Sequence, residues 1–93
     1  MSTTVTNDVP AVEPPSRITE LRDRINAIDE QLIRLWRERA SLSQEVGTVR
    51  VAQGGTRLAL GREQEILQHF KSELGADGTQ LALLILRAGR GKL

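Results

Sequence analysis

The chain has 93 residues, no cysteine, one histidine and two aromatic side chains, with 13 basic against 12 acidic residues and a net charge of +1. That composition excludes a disulfide framework and a thiolate metal site, an aromatic platform for stacked bases, and a global field that gathers nucleic acid. No apolar run reaches the roughly 18 residues of a membrane span, and the opening "MSTTVTNDVPAVEPPS" lacks the basic-then-apolar layout of a signal peptide, so a small cytoplasmic domain is expected.

Residues 1–15 are rich in Ser, Thr and Pro and read as a disordered N-terminal tail, leaving 16–93 as the folded domain. Ser16, after Pro14 and Pro15, is the expected N-cap of a long helix. Ile18, Leu21, Ile25, Ile28, Leu32, Leu35, Leu42, Val46 and Val49 follow at steps that keep one helical face apolar. The helix is expected to run to about Gln53, ahead of Gly54 and Gly55. At 1.5 Å per residue it would be roughly 57 Å long, against a radius of gyration of about 12 Å for a compact chain of this size. Its stripe therefore needs a cover, and a second copy of the chain is the simplest one.

Position 39 interrupts the stripe, because an arginine stands where the register demands an apolar residue. An unpaired buried charge is costly, so Arg39 needs an anion or a wet cavity. Arg50 falls on nearly the same face about 16 Å further on. Two guanidinium groups on an apolar face suit a small polyanion, because the arginine fork binds a carboxylate at two points. The plainer alternative is that each stem lies on apolar surface with its head in water. Arg22 lies about 25 Å before Arg39 along the helix, so it can join that site only from an antiparallel partner chain. Alone, it reads as a surface charge near Asn26 or Glu20.

Gly54 and Gly55 permit positive φ and end the helix. The segment "GGTRLALGRE" then returns towards Arg50, where free N–H groups and Arg57 or Arg62 can reach a ligand. Glu63 opens a second helix, from Arg62 to about Leu74. Its ordinary role is a carboxylate at a helix N-terminus, and its sharper one is to accept a ligand hydroxyl. Gly75 is the expected stop, Asp77 or Thr79 the next cap, and a buried third helix runs from Gln80 to about Ala88. The chain closes on "RAGRGKL". With no nucleophile–base pair, metal cluster or phosphate-cradling motif in view, such a site can only position a substrate and stabilise charge, and no cofactor or metal is expected.

The stretch "ITELRDRINAIDEQLIRLWRERASLSQEVGTVR" resembles the first helix of the all-helical chorismate mutases, whose L-R-x-x-I-x-x-[IL]-D-x-x-[IL]-[IL]-x-L-x-x-x-R pattern and V-G-x-x-[KR] end it reproduces from Leu21 to Arg50. "GGTRLALGRE" and "LLILRAGRGKL" resemble the short subclass that works in complex with DAHP synthase. The resemblance implies an all-α fold of three helices per subunit in an intertwined homodimer, converting chorismate to prephenate for phenylalanine and tyrosine synthesis. It implies that Arg22 reaches the partner's site and binds a carboxylate, and that Arg39 binds the other carboxylate region. Arg50, often lysine in relatives, would contact a carboxylate and the ether oxygen. Arg62 would help hold a carboxylate, Glu63 would accept from the ring hydroxyl, and the Ala59 N–H would serve that same hydroxyl site.

Two departures stand out. Position 59 is Ala where other subclasses carry Asp, and the tail offers no clear equivalent of their polar donor late in the third helix. From these we expect a weak free enzyme whose pocket is ordered when DAHP synthase docks on the tail and loop. The rivals are isochorismate pyruvate lyase on the same fold and a non-catalytic helical dimerisation module. Binding of nucleic acid through the basic tail is disfavoured by the near-neutral charge.

Overall fold

In the computed structural model the described residues are 8–56 and 59–91, with side chains described from Ser16 onward. They form three helices, α1 (Asp8–Ala52), α2 (Leu60–Leu74) and α3 (Ala76–Arg90), and no strand occurs among them. The all-α, three-helix reading therefore holds. The chain divides into two compact units, residues 1–34 and 35–93.

Several boundaries differ from the sequence reading. Helix α1 begins at Asp8 rather than at Ser16, so residues 8–15 of the expected tail are helical backbone; residues 1–7 lie outside the described residues. Pro10 stands in the first turn, where its missing N–H has no intrahelical partner in any case, whereas Pro14 and Pro15 lie beyond that turn and each forgo an intrahelical bond. Helix α2 starts at Leu60, ahead of Arg62. Helix α3 starts at Ala76 and reaches Arg90, well beyond the expected 80–88.

The joint between α2 and α3 is one residue. Gly75 is the C-cap of α2 and the N-cap of α3, at φ +70°, and its N–H donates to the Lys71 carbonyl at 2.8 Å. The expected caps Asp77 and Thr79 are not used, because the chain re-enters a helix before reaching them; Asp77 lies instead in the first turn, where its charge favours the helix N-terminus. Gly78 is buried where α3 crosses α2, and a Cβ there would run into the Phe70 carbonyl. The closeness of this crossing is therefore written into one residue.

The core of residues 35–93 is small. Ile66, Ala82 and Leu86 are buried, with Leu67 and Phe70 packed against them. Helix α3 was expected to be buried nearly all round, but Leu81, Leu83 and Leu84 remain 37–48% exposed. The apolar stripe of α1 is uncovered as well. Ile18, Leu21, Ile25, Ile28 and Leu32 in residues 1–34, and Leu35, Leu42, Val46 and Val49 in residues 35–93, are 39–60% exposed. No described helix is long and apolar enough to cross a membrane.

Candidate functional site

The site lies wholly within residues 35–93 and is built from the last turns of α1, the start of α2 and the end of α3. Arg39, Val46 and Arg50 share one stripe of α1 and face a cavity of about 280 Å³. Ala59, Arg62 and Glu63 close it from α2, and Leu86, Gly89 and Arg90 from α3. The volume suits a small molecule at the lower end of ordinary ligand pockets.

Arg39 is half-buried, as its place in an apolar register predicts. Burial, and after it the like charge of Arg62, lowers its pKa from the ordinary guanidinium value. Both causes act against the cation. Neither Arg39 nor Arg50 forms an ion pair among the described residues. Arg62 reaches Glu65 at 3.4 Å on an exposed face, a weak surface contact that leaves it available to the cavity it lines.

The loop after α1 turns back as expected. The Gly55 N–H donates to the Arg50 carbonyl at 2.9 Å, and Gly54 has φ +88°. Arg57 lies outside the described residues. Ala59 caps α2, and its carbonyl accepts from the Glu63 N–H at 3.0 Å. That bond fixes where the Glu63 side chain leaves the backbone.

Glu63 is the sole acid among the described lining residues, and its side chain is 17% exposed. Its partner was missed by sequence reasoning. Arg90 donates from Nη2 to Oε1 at 2.7 Å and from Nε to Oε2 at 3.3 Å. The sequence places the end of the third helix at about Ala88, within "RAGRGKL", yet helix α3 carries on to Arg90. Ser43 and Gln44 also line the cavity unforeseen. A readable signal existed for Ser43: position 43 is four residues after Arg39, hence one turn along the same face.

Arg22 belongs to residues 1–34, outside the unit that forms the cavity, and is exposed. Of its two suggested neighbours, Asn26 and Glu20, the second pairs instead with Arg17 at 2.8 Å. Among the described residues no cluster of His, Cys, Asp or Glu could hold a metal ion.

Comparison with known proteins gives a consistent picture. A family model described as chorismate mutase type II matches residues 21–84. Proteins named intracellular chorismate mutase from Mycobacterium tuberculosis and Mycobacterium bovis are each 43% identical over 81 residues, spanning 87% of this chain and 76% of theirs. A namesake from Mycolicibacterium smegmatis is 37% identical, over 88% of this chain and 79% of its own. Among solved structures, a non-covalent complex of DAHP synthase and chorismate mutase from Corynebacterium glutamicum, with bound transition state analog, matches at TM-score 0.80 and 39% identity. That match covers 86% of this chain and 96% of the other.

Proposed function

The chain belongs to the chorismate mutase type II family, and from that premise we propose that it rearranges chorismate to prephenate in the arginine-lined cavity of residues 35–93. The observation that carries the assignment is the pair of guanidinium groups, Arg39 and Arg50, without an ion pair among the described residues, facing one cavity whose sole described acid is Glu63.

The reaction is unimolecular. One ether C–O bond breaks as a C–C bond forms, and the enzyme has only to hold a reactive chair and meet the charge that grows on the ether oxygen. Arg39 and Arg62 take the carboxylates. Arg50 contacts a carboxylate and the ether oxygen, where a preorganised cation in a partly dry site acts most strongly. Glu63, with the Ala59 N–H, holds the ring hydroxyl.

The working unit is a homodimer in which Arg22 of a second copy completes the site. Support comes from the exposed stripe of α1 and from the smallness of the core around Ile66, Ala82 and Leu86, since a chain of this size is marginal alone. A complex with DAHP synthase through the 87–93 tail and the loop is favoured by the likeness to a chorismate mutase solved in such a complex. A cytoplasmic setting fits relatives named intracellular, and the catalytic domain is taken as 16–93, with the helical residues 8–15 leading into it.

The test is direct. Purified protein mixed with chorismate should consume the diene absorbance and yield prephenate, faster when DAHP synthase is added. Salicylate as product would move the assignment to isochorismate pyruvate lyase. Absence of turnover with and without the partner, together with tolerance of Arg39→Ala, would leave only a dimerisation module.

A further inference from the structure

The mechanism above leaves Arg90 without a role, although it is the most closely paired cation in the cavity. Its plainest explanation is a favourable charge in the last turn of α3. The geometry asks for more. The guanidinium takes both oxygens of Glu63 at 2.7 and 3.3 Å, and the pair is part-buried, with side-chain exposures of 33% and 17%. The end of α3 that carries Arg90 is itself held in place. Gln44 of α1 donates from Nε2 to the Ala88 carbonyl at 3.0 Å. Gly89 is buried so close to α1 that a Cβ there would stand 2.6 Å from Ser43 Oγ. Gly91 caps the helix at φ +68°, against Gln44.

We infer that Arg90 is a positioning residue: it clamps the cavity's carboxylate, Glu63, so that Arg39 and Arg50 stay uncovered for the carboxylates of the substrate. The inference rests on the proposed mutase reading and deepens it. A lone carboxylate facing three other guanidinium groups would pair with one of them, and the substrate would then have to displace it. Clamped by a fork, Glu63 keeps its remaining lone pairs for a ligand hydroxyl. The arginine acts through Glu63 and need not touch the substrate.

A double-mutant cycle separates this from an independent contact, because residues that act as one unit are not additive. Prephenate, a dicarboxylate, serves as the equilibrium probe by calorimetric titration, alongside kcat/KM on chorismate. Arg90→Ala should weaken prephenate binding and lower kcat/KM by about 10- to 100-fold, the scale of a misplaced catalytic group. Adding Glu63→Gln to Arg90→Ala should restore prephenate binding to within about threefold of Glu63→Gln alone, since no carboxylate is left to cover an arginine. Losses that simply multiply in the double variant would overturn the inference and make Arg90 a direct ligand contact. Arg90→Lys, which keeps the charge but not the two-point clamp, repeats the cycle if the alanine variant fails to fold. Wild-type protein that neither binds prephenate nor consumes chorismate would defeat the mutase reading itself, a result distinct from an additive cycle.

Discussion

At the scale of single residues, Arg39 carries a stability cost for the sake of its position. Its pKa is lowered by burial first and by Arg62 second, so the folded state disfavours the cation. For a cation with a depressed folded pKa, the unfolded chain binds the proton more tightly, and stability rises with pH only in the alkaline window just below the ordinary guanidinium value. Across pH 6–9 the penalty is constant, and thermal melts should show no pH dependence traceable to Arg39. Replacing it with an apolar residue of similar length, Arg39→Met, should leave the melting temperature unchanged or raise it while lowering kcat/KM by about 100- to 1,000-fold, the scale of losing one preorganised charge. A variant that melts much earlier would show that Arg39 is a structural strut instead. Arg50 should be more forgiving in kind, because the role proposed for it is that of a point charge near the ether oxygen. Arg50→Lys should stay within about tenfold of wild type, whereas Arg50→Ala should fall by about 100-fold or more in steady-state assays.

At the scale of elements, the end of α3 depends on how closely it approaches α1 within residues 35–93. Gly89→Ala puts a methyl where Ser43 Oγ already stands at 2.6 Å. Overpacking of this kind costs about 1–3 kcal/mol, so chemical denaturation should show a loss of that size. Activity should drop further than stability explains, because the same shift moves Arg90 off Glu63. Gly89→Ala combined with Ser43→Gly should recover both. Much of this element was unreadable in advance. The seam of α1 was legible because its apolar spacing and the misplaced Arg39 are local patterns, and Glu63 was legible as the acid that opens α2. Arg90 was not, because its partner lies 27 positions away and only the packing of Gly89 on Ser43 brings the two together.

At the scale of the whole molecule, the exposed apolar surface decides the assembly. Leu32 is 60% exposed and Ile25 and Ile28 each 54%, values suited to a face that another chain covers. Light scattering should therefore find dimers at micromolar concentration. Ile25→Asp with Leu32→Asp should shift the protein towards protomers that melt earlier and do not turn over chorismate, the outcome expected from the proposed contribution of Arg22 by a second copy. Dimers that persist in this double variant would place the interface elsewhere, with the exposed Leu81, Leu83 and Leu84 of α3 as the next surface to alter.

The sequence by itself determined the helical class, the apolar stripe and most of the charged groups of the cavity, because helix periodicity and a cation in an apolar register are properties of neighbours along the chain. The tertiary structure alone decided that α3 runs on to Arg90, that Gly75 joins two helices without a loop, and that Glu63 is clamped by an arginine rather than left to α2. Those outcomes depend on groups meeting across helices, where a single close approach overrides the turn-like composition of the tail.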